Sequence, residues 1–543
     1  MKKYIQWSGK AMRPYRMAIS VMMFSHVILA ACSILFVYTC KKLVDSAVAA
    51  FDGKEQEYGI PFLLGVLVLI VVVRIAVNAA RSYLQTKTEI GMKNRLRRRM
   101  FDILLREQAS VGGKYHSGDI LSRIQEDVRV VSSALSVSVP NLFGTALQFA
   151  AALMFLLWLD FRLGIIIVII LPAGMLVGKF ITSRIRKLTL DIRTGDSKVQ
   201  SHLQESIQHR TLLKSMEYIQ TSSEELDDLQ EELYSSELRR TRFSVVSRTF
   251  ISLAFQAGHI VAFMWGVWGI SAGTVTYGMM TAFLQLVGQI QRPLVEMSSQ
   301  IPLILHASAS VDRIMEIESL PQEDEDDSVL LKGKVGVRLE NVIFAYPDSP
   351  HKVFDSFSHD FAPGSRTAIV GPTGVGKSTL IRLLLALLEP QGGGIYIYAD
   401  ETLPVSSATR CNLVYVPQGN SLFSGTVRDN LLMGNPDATE EQMRLALYTA
   451  AADFVMELPM GLDTQCFEAG AGLSEGQAQR IAIARALLRP GSILLLDEFS
   501  SALDSETETL LMERLTAGFP DHTMIFITHR DKIIDYCTDV LKL

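Results

Sequence analysis

Two groups of residues in the C-terminal half of this 543-residue chain have the types and spacing for phosphate chemistry. The first is Gly371-Pro372-Thr373-Gly374-Val375-Gly376-Lys377-Ser378-Thr379. Its glycines let successive backbone N–H groups curl around phosphate oxygens without Cβ clashes. Lys377 can reach the β- and γ-phosphates of a nucleotide, and the Ser378 hydroxyl can hold Mg2+. The second is Asp497-Glu498, closing the apolar run Ser492-Ile493-Leu494-Leu495-Leu496. Asp497 suits a Mg2+ shell, directly or through water, and Glu498 suits a general base that polarises an attacking water.

These residues need a particular scaffold. Thr367-Ala368-Ile369-Val370 has the composition of a buried strand, and an apolar helix follows the glycine-rich loop. That strand–loop–helix order is the context the GxxxxGK[ST] pattern requires, with the positive helix end aimed at the anion. A strand ending in two carboxylates sets both at the carboxyl edge of a parallel sheet, where ligands bind. From Val335 onward, short β-type runs, Gly/Pro turns and amphipathic helices point to an α/β domain.

The first 300 residues are different. Hydrophobic residues make up 48% of the chain and charged ones 20%, and mean hydropathy is +0.24. Six apolar stretches, 17–39, 60–80, 139–158, 161–181, 247–270 and 275–296, are each long enough to cross hydrocarbon as a helix. The intervals after the second and fourth are long and carry cations: Lys93, Arg95, Arg97, Arg98 and Arg99, then Arg184, Arg186 and Lys187. With the basic N-terminus, this places both long intervals and both termini in the cytoplasm, although Lys41, Lys42 and Lys54 weaken the contrast. The long intervals read as helices that continue the spans beyond the lipid. Leu29-Ala30-Ala31-Cys32 resembles a lipoprotein cleavage site, but the apolar run continues past it, so an uncleaved first span is expected.

Polar groups interrupt the spans. Arg74 and Asn78 lie one helical turn apart in the second, Gln285 and Gln289 repeat that spacing in the sixth, and His259 lies in the fifth. Such groups usually face the bundle or a wet cavity. Arg74, Asn78, Gln285 and Gln289 are therefore candidates for a substrate pathway, with structural pairing or snorkelling of Arg74 the alternative. A net charge of −5 without a basic tail speaks against nucleic acid as a partner. Five cysteines without metal-binding spacing read as free thiols.

Gly472-Leu473-Ser474-Glu475-Gly476-Gln477-Ala478-Gln479-Arg480 resembles the LSGGQ-x-QR signature of ATP-binding cassette (ABC) transporters. The resemblance covers nearly the whole chain. Tyr346 matches the aromatic residue that stacks on adenine, Gln418 the Q-loop, Ser501-Ala502-Leu503-Asp504 the D-loop, and His529 the switch histidine. Glu468 is similar to an acidic residue preceding the exporter signature, and residues 116–128 and 205–218 resemble the two coupling regions. The family implies an all-α six-helix transmembrane domain (1–318), a linker (319–334) and an α/β P-loop ATPase domain (335–543). It implies ATP and Mg2+ as cofactors, with Ser378, Gln418 and Asp497 around the metal and Lys377, Gln418, Glu498 and His529 in catalysis. The phosphate loop, residues 371–379, and Tyr346 would bind ATP. Leu473, Ser474, Glu475, Gly476 and Gln477 would complete the site of a second copy, or of a related half-transporter. ATP closure and hydrolysis, carried by the cytoplasmic hairpins, would then drive alternating access and export of a small molecule, lipid or peptide from the inner membrane of a bacterium. A subunit of a heterodimer and an ATP-gated channel on the same fold are the alternatives.

Three features depart from the pattern. Glu475 replaces the first signature glycine, Phe499 stands where a small residue is usual, and the chain stops soon after His529. A naturally short or trimmed tail is expected rather than the loss of a C-terminal dimer contact, and a peptide exporter that also cleaves leader sequences is not expected.

Overall fold

A computed structural model describes residues 2–53, 55, 57–108, 117–323, 327–346, 349, 351–419, 421–466 and 472–543. The side chains of 2, 5, 117, 167–182, 186, 251, 254 and 298 are outside that description. Glu468 and His116, and with them parts of the pre-signature loop and first coupling region, lie outside the described residues. The chain divides into two units, Met1–Met100 with Leu121–Glu316, and Phe101–Ile120 with Ile317–Leu543.

The first unit is helical. Its elements are α1 (Lys2–Met12), α2 (Arg16–Phe51), α3 (Ile60–Leu105), α4 (Gly118–Leu159), α5 (Phe161–Gln208), α6 (Arg210–Ser215), α7 (Ile219–Ser271) and α8 (Tyr277–Glu318), some running on into the second unit. Five of the six expected spans lie within one long helix each, and the sixth, 275–296, starts two residues before α8. At 1.5 Å per residue, the 46 residues of α3 extend about 70 Å, more than twice the hydrocarbon thickness. Among the described residues, α2, α3, α4 and α7 are long and apolar enough to cross a membrane. Much of the apolar stretch of α5 falls on side chains outside the description. In α8 the stretch is diluted by Gln285, Gln289, Gln291 and Arg292.

The ends of these helices are tied by acidic side chains. Asp160 caps α5, accepting from the Arg162 and Leu163 N–H groups at 2.9 and 3.0 Å, and also takes the Trp265 indole N–H of α7 at 2.9 Å. Asp45 of α2 accepts from the Gly278 N–H at 2.9 Å, satisfying a donor in the first turn of α8. A Cβ on Gly278 would fall 2.2 Å from the Lys41 carbonyl, so only glycine permits this approach. Val37, Leu156, Ala262, Phe283 and Leu286 form part of the buried core. Two π-type turns, Arg123–Asp127 and Ala134–Ser138, interrupt α4. Buried Asp127 accepts from the Arg313 Nε at 2.7 Å, and Arg123 donates to Glu316 at 2.9 Å, joining α4 to α8.

The second unit contains two main sheets. β1 (Gly336–Ala345), β2 (Lys352–Phe361), β4 (Gly392–Tyr398) and β5 (Thr402–Pro404) form an antiparallel sheet in the order β2-β1-β4-β5. β3 (Arg366–Val370), β6 (Leu413–Val416), β9 (Ile493–Asp497), β10 (Thr523–Ile527) and β11 (Asp539–Lys542) form a parallel sheet in the order β11-β3-β10-β9-β6. The sequence pattern anticipates the parallel sheet but not the antiparallel one. A two-stranded ribbon, β7 (Gly425–Thr426) and β8 (Gln465–Cys466), completes the set. Around the sheets lie α9 (Lys377–Leu384), α10 (Val427–Leu432), α11 (Glu440–Thr449), α12 (Glu475–Leu487), α13 (Ser505–Gly518) and α14 (Asp531–Ile534). β9 and β10 are buried along their whole length, as their unbroken apolar runs demand. At the linker, the Gln108 N–H donates to the Pro321 carbonyl at 3.0 Å, and Arg410 grips Glu323 at 2.7 and 2.9 Å.

Candidate functional site

Parallel register brings the functional residues together. β10 pairs with both β3 and β9, matching Ile527 to Ile369 on one side and to Asp497 on the other, while Val416 of β6 pairs with Leu496. The four strands therefore end side by side. The phosphate loop follows β3, His529 lies just past β10, Asp497 ends β9 with Glu498 after it, and Gln418 lies just past β6.

At this edge the Gln418 amide donates to Glu498 Oε2 at 2.5 Å. His529 Nε2 lies 3.7 Å from Glu498 Oε1. The Lys377 ammonium donates to the Gly371 carbonyl at 2.5 Å and lies 2.9 Å from His529 Nε2. An ammonium has no acceptor, so the ring nitrogen accepts here. Lys377, Gln418, Glu498 and His529 thus form one connected group. Glu498 has φ of 45°, the left-handed region a side chain rarely adopts. Its N–H donates to the Ile527 carbonyl at 3.0 Å and its own carbonyl accepts from Ser501 at 3.1 Å, which holds the residue in that strained conformation.

The loop before α9 has the expected shape. Gly374 and Gly376 have φ of 89° and 116°, and a Cβ on Gly376 would meet Val353 at 2.6 Å. Pro372, Thr373, Gly374 and Val375 form the turn, while Lys377, Ser378 and Thr379 begin the helix. The Thr379 hydroxyl lies 3.1 Å from the Tyr346 hydroxyl, and the Tyr346 ring stands edge-on to Phe344 at 5.1 Å.

Asp497 is 9% exposed. Burial, with the neighbouring Glu498 charge, raises its carboxyl above the ordinary aspartate range. Its partner is the Tyr415 phenol, which burial and the Asp497 charge push up to about 12. A buried carboxylate beside another carboxylate is a setting that a cation relieves, and Ser378, Gln418 and Asp497 offer the oxygen donors Mg2+ takes. Tyr415 carries no motif signal in the sequence; only the register beside β9 reveals it.

The signature residues do not lie in that group; they open α12. Ser474 is its N-cap, accepting from the Gln477 N–H at 3.2 Å while the Gln477 side chain accepts from the Ser474 N–H at 2.9 Å. Glu475 is exposed in the first turn, where a carboxylate complements the helix dipole but also competes with any anion brought to that end. A Cβ on Gly476 would come within 2.7 Å of the Ala502 carbonyl and 3.3 Å of Leu503. Leu473 packs partly buried against the adjoining core.

Gln479, 1% exposed, links the signature helix to the hydrolytic edge. Its amide donates to the Glu498 carbonyl at 3.3 Å, and its oxygen accepts from the Ala502 N–H at 3.3 Å. Arg530 binds the same segment from the other side, donating to the carbonyls of Ser501 and Leu503 at 3.1 and 3.2 Å and to buried Glu508 at 2.9 Å. Asp504 caps α13, accepting from the N–H groups of Glu506 and Thr507, and these bonds hold its carboxyl below the usual range. Phe499 is fully buried 5.8 Å from Phe526, so its bulk fills the core rather than the site.

In the membrane unit, Arg74 and Asn78 line a common cavity, whereas Gln285 and Gln289 do not. Gln289 instead accepts from Ser33 at 3.0 Å. The His259 ring lies 3.1 Å from the Phe255 carbonyl of its own helix.

Comparison with known proteins matches residues 19–294 to the ABC transporter transmembrane region and 354–501 to the ABC transporter family. The fatty acid ABC transporter ATP-binding/permease protein of Mycobacterium bovis is 30% identical over 76% of this chain, which spans 66% of that relative's length. YgaD of Bacillus subtilis, an ATP-binding/permease protein whose name assigns it provisionally to multidrug export, is 26% identical over 100% of this chain and 94% of its own. In fold, the chain resembles a bacterial Atm1-family ABC exporter solved with ATP bound, at a TM-score of 0.79 and 23% identity over 98% of this chain and 93% of that one. ATP binding follows from the second domain, and insertion in a membrane from the first. The chain therefore belongs to the ABC transporter family, with the family's transmembrane region ahead of its ABC transporter domain on one chain.

Proposed function

We propose that this half-transporter moves an amphipathic solute, a lipid, drug or peptide, across the membrane by alternating access driven by ATP hydrolysis. The observation that carries this reading is the meeting of Lys377, Gln418, Glu498 and His529 beside Asp497 and the glycine loop. In this reading, residues 371–379 cradle the phosphates and Tyr346 stacks on adenine. Ser378, Gln418 and Asp497 would hold Mg2+, which when bound neutralises charge on the phosphates. Gln418 orients the Glu498 carboxylate, which takes a proton from the attacking water. Lys377 exchanges both the Gly371 carbonyl and the His529 ring for phosphate oxygens, and His529, released from the ammonium, can turn a ring N–H toward the reacting phosphate.

The partner in this proposal is a second copy, whose residues 473–477 and D-loop 501–504 complete the site. Glu475 favours a second reading, pairing with a related half-transporter whose signature lacks the acidic residue. The names of the mycobacterial and Bacillus relatives support an amphipathic cargo. The proposed setting is the inner membrane of a bacterium, with both termini cytoplasmic and a transmembrane domain (1–318), linker (319–334) and ATPase domain (335–543).

The test is Glu498→Gln in the full chain in nanodiscs. ATP binding should persist while turnover is lost; retained hydrolysis would remove Glu498 as the base. ATPase activity of the purified wild-type chain alone supports the homodimer, and its absence points to the heterodimer. Solute flux without stoichiometric ATP use would instead indicate a channel.

A further inference from the structure

We propose that the membrane unit recognises the anionic head group of its solute, a carboxylate or phosphate carried on an apolar chain. The proposal rests on the transport reading above and names the substrate class. A cavity of about 800 Å³ lies among α2, α3, α4 and α8. Its wall carries three guanidiniums, Arg74, Arg81 and Arg292, against one carboxylate, Glu296. Glu296 lies 3.7 Å from Arg292, so it offsets that arginine at most.

The other two arginines meet no counter-charge. Among the described residues, no carboxylate lies within ion-pair distance of Arg74 or Arg81. Arg81 is oriented entirely by neutral acceptors: Nη1 donates to Asn141 Oδ1 at 3.1 Å and approaches His26 Nε2 at 3.1 Å, and Nη2 donates to Asn78 Oδ1 at 2.9 Å. Its Nε is buried without a partner. Among the described residues, Arg74 lies 5.9 Å from the Phe36 ring and makes no ion pair. A guanidinium held by three neutral side chains in a membrane helix keeps its charge and lacks the anion that would offset it. The planar fork matches a carboxylate or phosphate.

The remainder of the wall fits the rest of such a solute. Leu29, Val71 and Ile75 present apolar surface to the same space. Close packing of α2 on α4 also shapes the polar end: a Cβ on Gly144 would fall 1.9 Å from His26 Nδ1, so glycine there admits the ring that braces Arg81. A cationic amphiphile would meet like charges, and an uncharged one would leave Arg81 without its counter-ion.

The test uses the full wild-type chain in phosphatidylcholine nanodiscs, with empty discs subtracted. Dodecanoate, dodecyl phosphate, dodecanol and dodecyltrimethylammonium share one apolar chain and differ in charge. Competition against radiolabelled dodecanoate should rank both anions at least about tenfold above the alcohol, with no competition by the ammonium compound. Arg81→Gln and Arg74→Gln should each reduce dodecanoate binding about tenfold, and Arg74→Lys should recover only part of that loss, because the ammonium keeps the charge without the fork. Equal competition by alcohol and anion, or binding of the ammonium compound, overturns the proposal on the wild-type chain alone. Phosphatidylglycerol in the disc separates two sources of the same chemistry: if it displaces dodecanoate, the anion is a bilayer lipid, and if it does not, a free solute. Binding is read without nucleotide, while basal ATPase of the same discs, with Glu498→Gln as its blank, reads the transport proposal. Active ATPase without anion selectivity thus overturns the cavity proposal only, whereas anion selectivity without ATPase leaves the cavity proposal standing and removes the self-sufficient homodimer.

Discussion

Arg530→Met removes a guanidinium while keeping most of the side chain's apolar bulk. Its three hydrogen bonds go to Glu508 at 2.9 Å, the Ser501 carbonyl at 3.1 Å and the Leu503 carbonyl at 3.2 Å. The Glu508 side chain is 3% exposed, so its carboxylate would be stranded in the interior. Breaking a fully buried pair from one side costs about 3–5 kcal/mol. Arg530 itself is 37% exposed, so water reaches this pair, and about 2–3 kcal/mol is the expected loss. For a domain of roughly 200 residues, that lowers the unfolding midpoint by about 5–10 °C. The freed carbonyls follow directly on Glu498, so ATPase turnover should also fall, by about tenfold or 1.4 kcal/mol of barrier. The assay is thermal unfolding and steady-state ATPase of the nanodisc-embedded chain, read for Arg530→Met, Glu508→Gln and the double variant. The double variant should recover about 1 kcal/mol relative to the sum of the singles, because the stranded charge is gone. A shift under about 2 °C for Arg530→Met, or strict additivity in the double variant, would refute the reasoning.

Three further outcomes are expected. Gly476→Ala brings a Cβ to 2.7 Å from the Ala502 carbonyl, and should cost about 1–3 kcal/mol of local strain; ATPase falls at least tenfold while ATP binding to the phosphate loop persists, and unchanged turnover would refute this. Glu475→Gly removes an exposed carboxylate from the helix end proposed to face the partner's nucleotide, and should lower the KM for ATP about two- to fivefold; an unchanged or raised KM counts against it. Asp497 has its carboxyl raised by burial and by Glu498. Its ionisation therefore weakens the fold as pH rises through the interval between its unfolded and folded values, and this weakening is absent at lower pH. Mg2+ with a non-hydrolysable ATP analogue should raise the unfolding midpoint more at pH 7.5 than at pH 5; an equal rise at both would sink the argument.

The loop 371–379 and the pair Asp497-Glu498 were legible because their chemistry is local: glycines, a lysine and two carboxylates follow strands whose apolar runs announce them. Their convergence with Gln418 and His529 required the family resemblance, since nothing in the intervening residues states which strands are neighbours. Tyr415 and Arg530 went unread for a related reason. Each acts across strands or loops, so its partner is distant in sequence and carries no spacing rule. Phe499 had no account until its burial against Phe526 explained it. The antiparallel sheet was missed because β2 and β5 are short or half-exposed, and their alternation is weak. In the membrane unit, Arg74 and Asn78 were found from their i, i+4 spacing. Gln285 and Gln289 share the same spacing, but helical period gives a shared face and not which neighbour that face meets; Gln289 meets Ser33. Arg81 lies one residue past the apolar stretch assigned to α3, outside the segments in which polar groups were singled out.

The position of Gln479 has a consequence for a dimer of the kind proposed. The helix whose first turn would touch the partner's nucleotide is the helix whose buried amide holds the backbone of its own Glu498. Any movement of α12 toward the opposite nucleotide is then felt at the base of the near site. Thermodynamic linkage makes such an effect mutual: whatever factor one occupied site lends to the other's affinity, it receives back in full. The two halves of the machine would accordingly share one record of occupancy, each one's grip on its nucleotide set partly by what its neighbour holds.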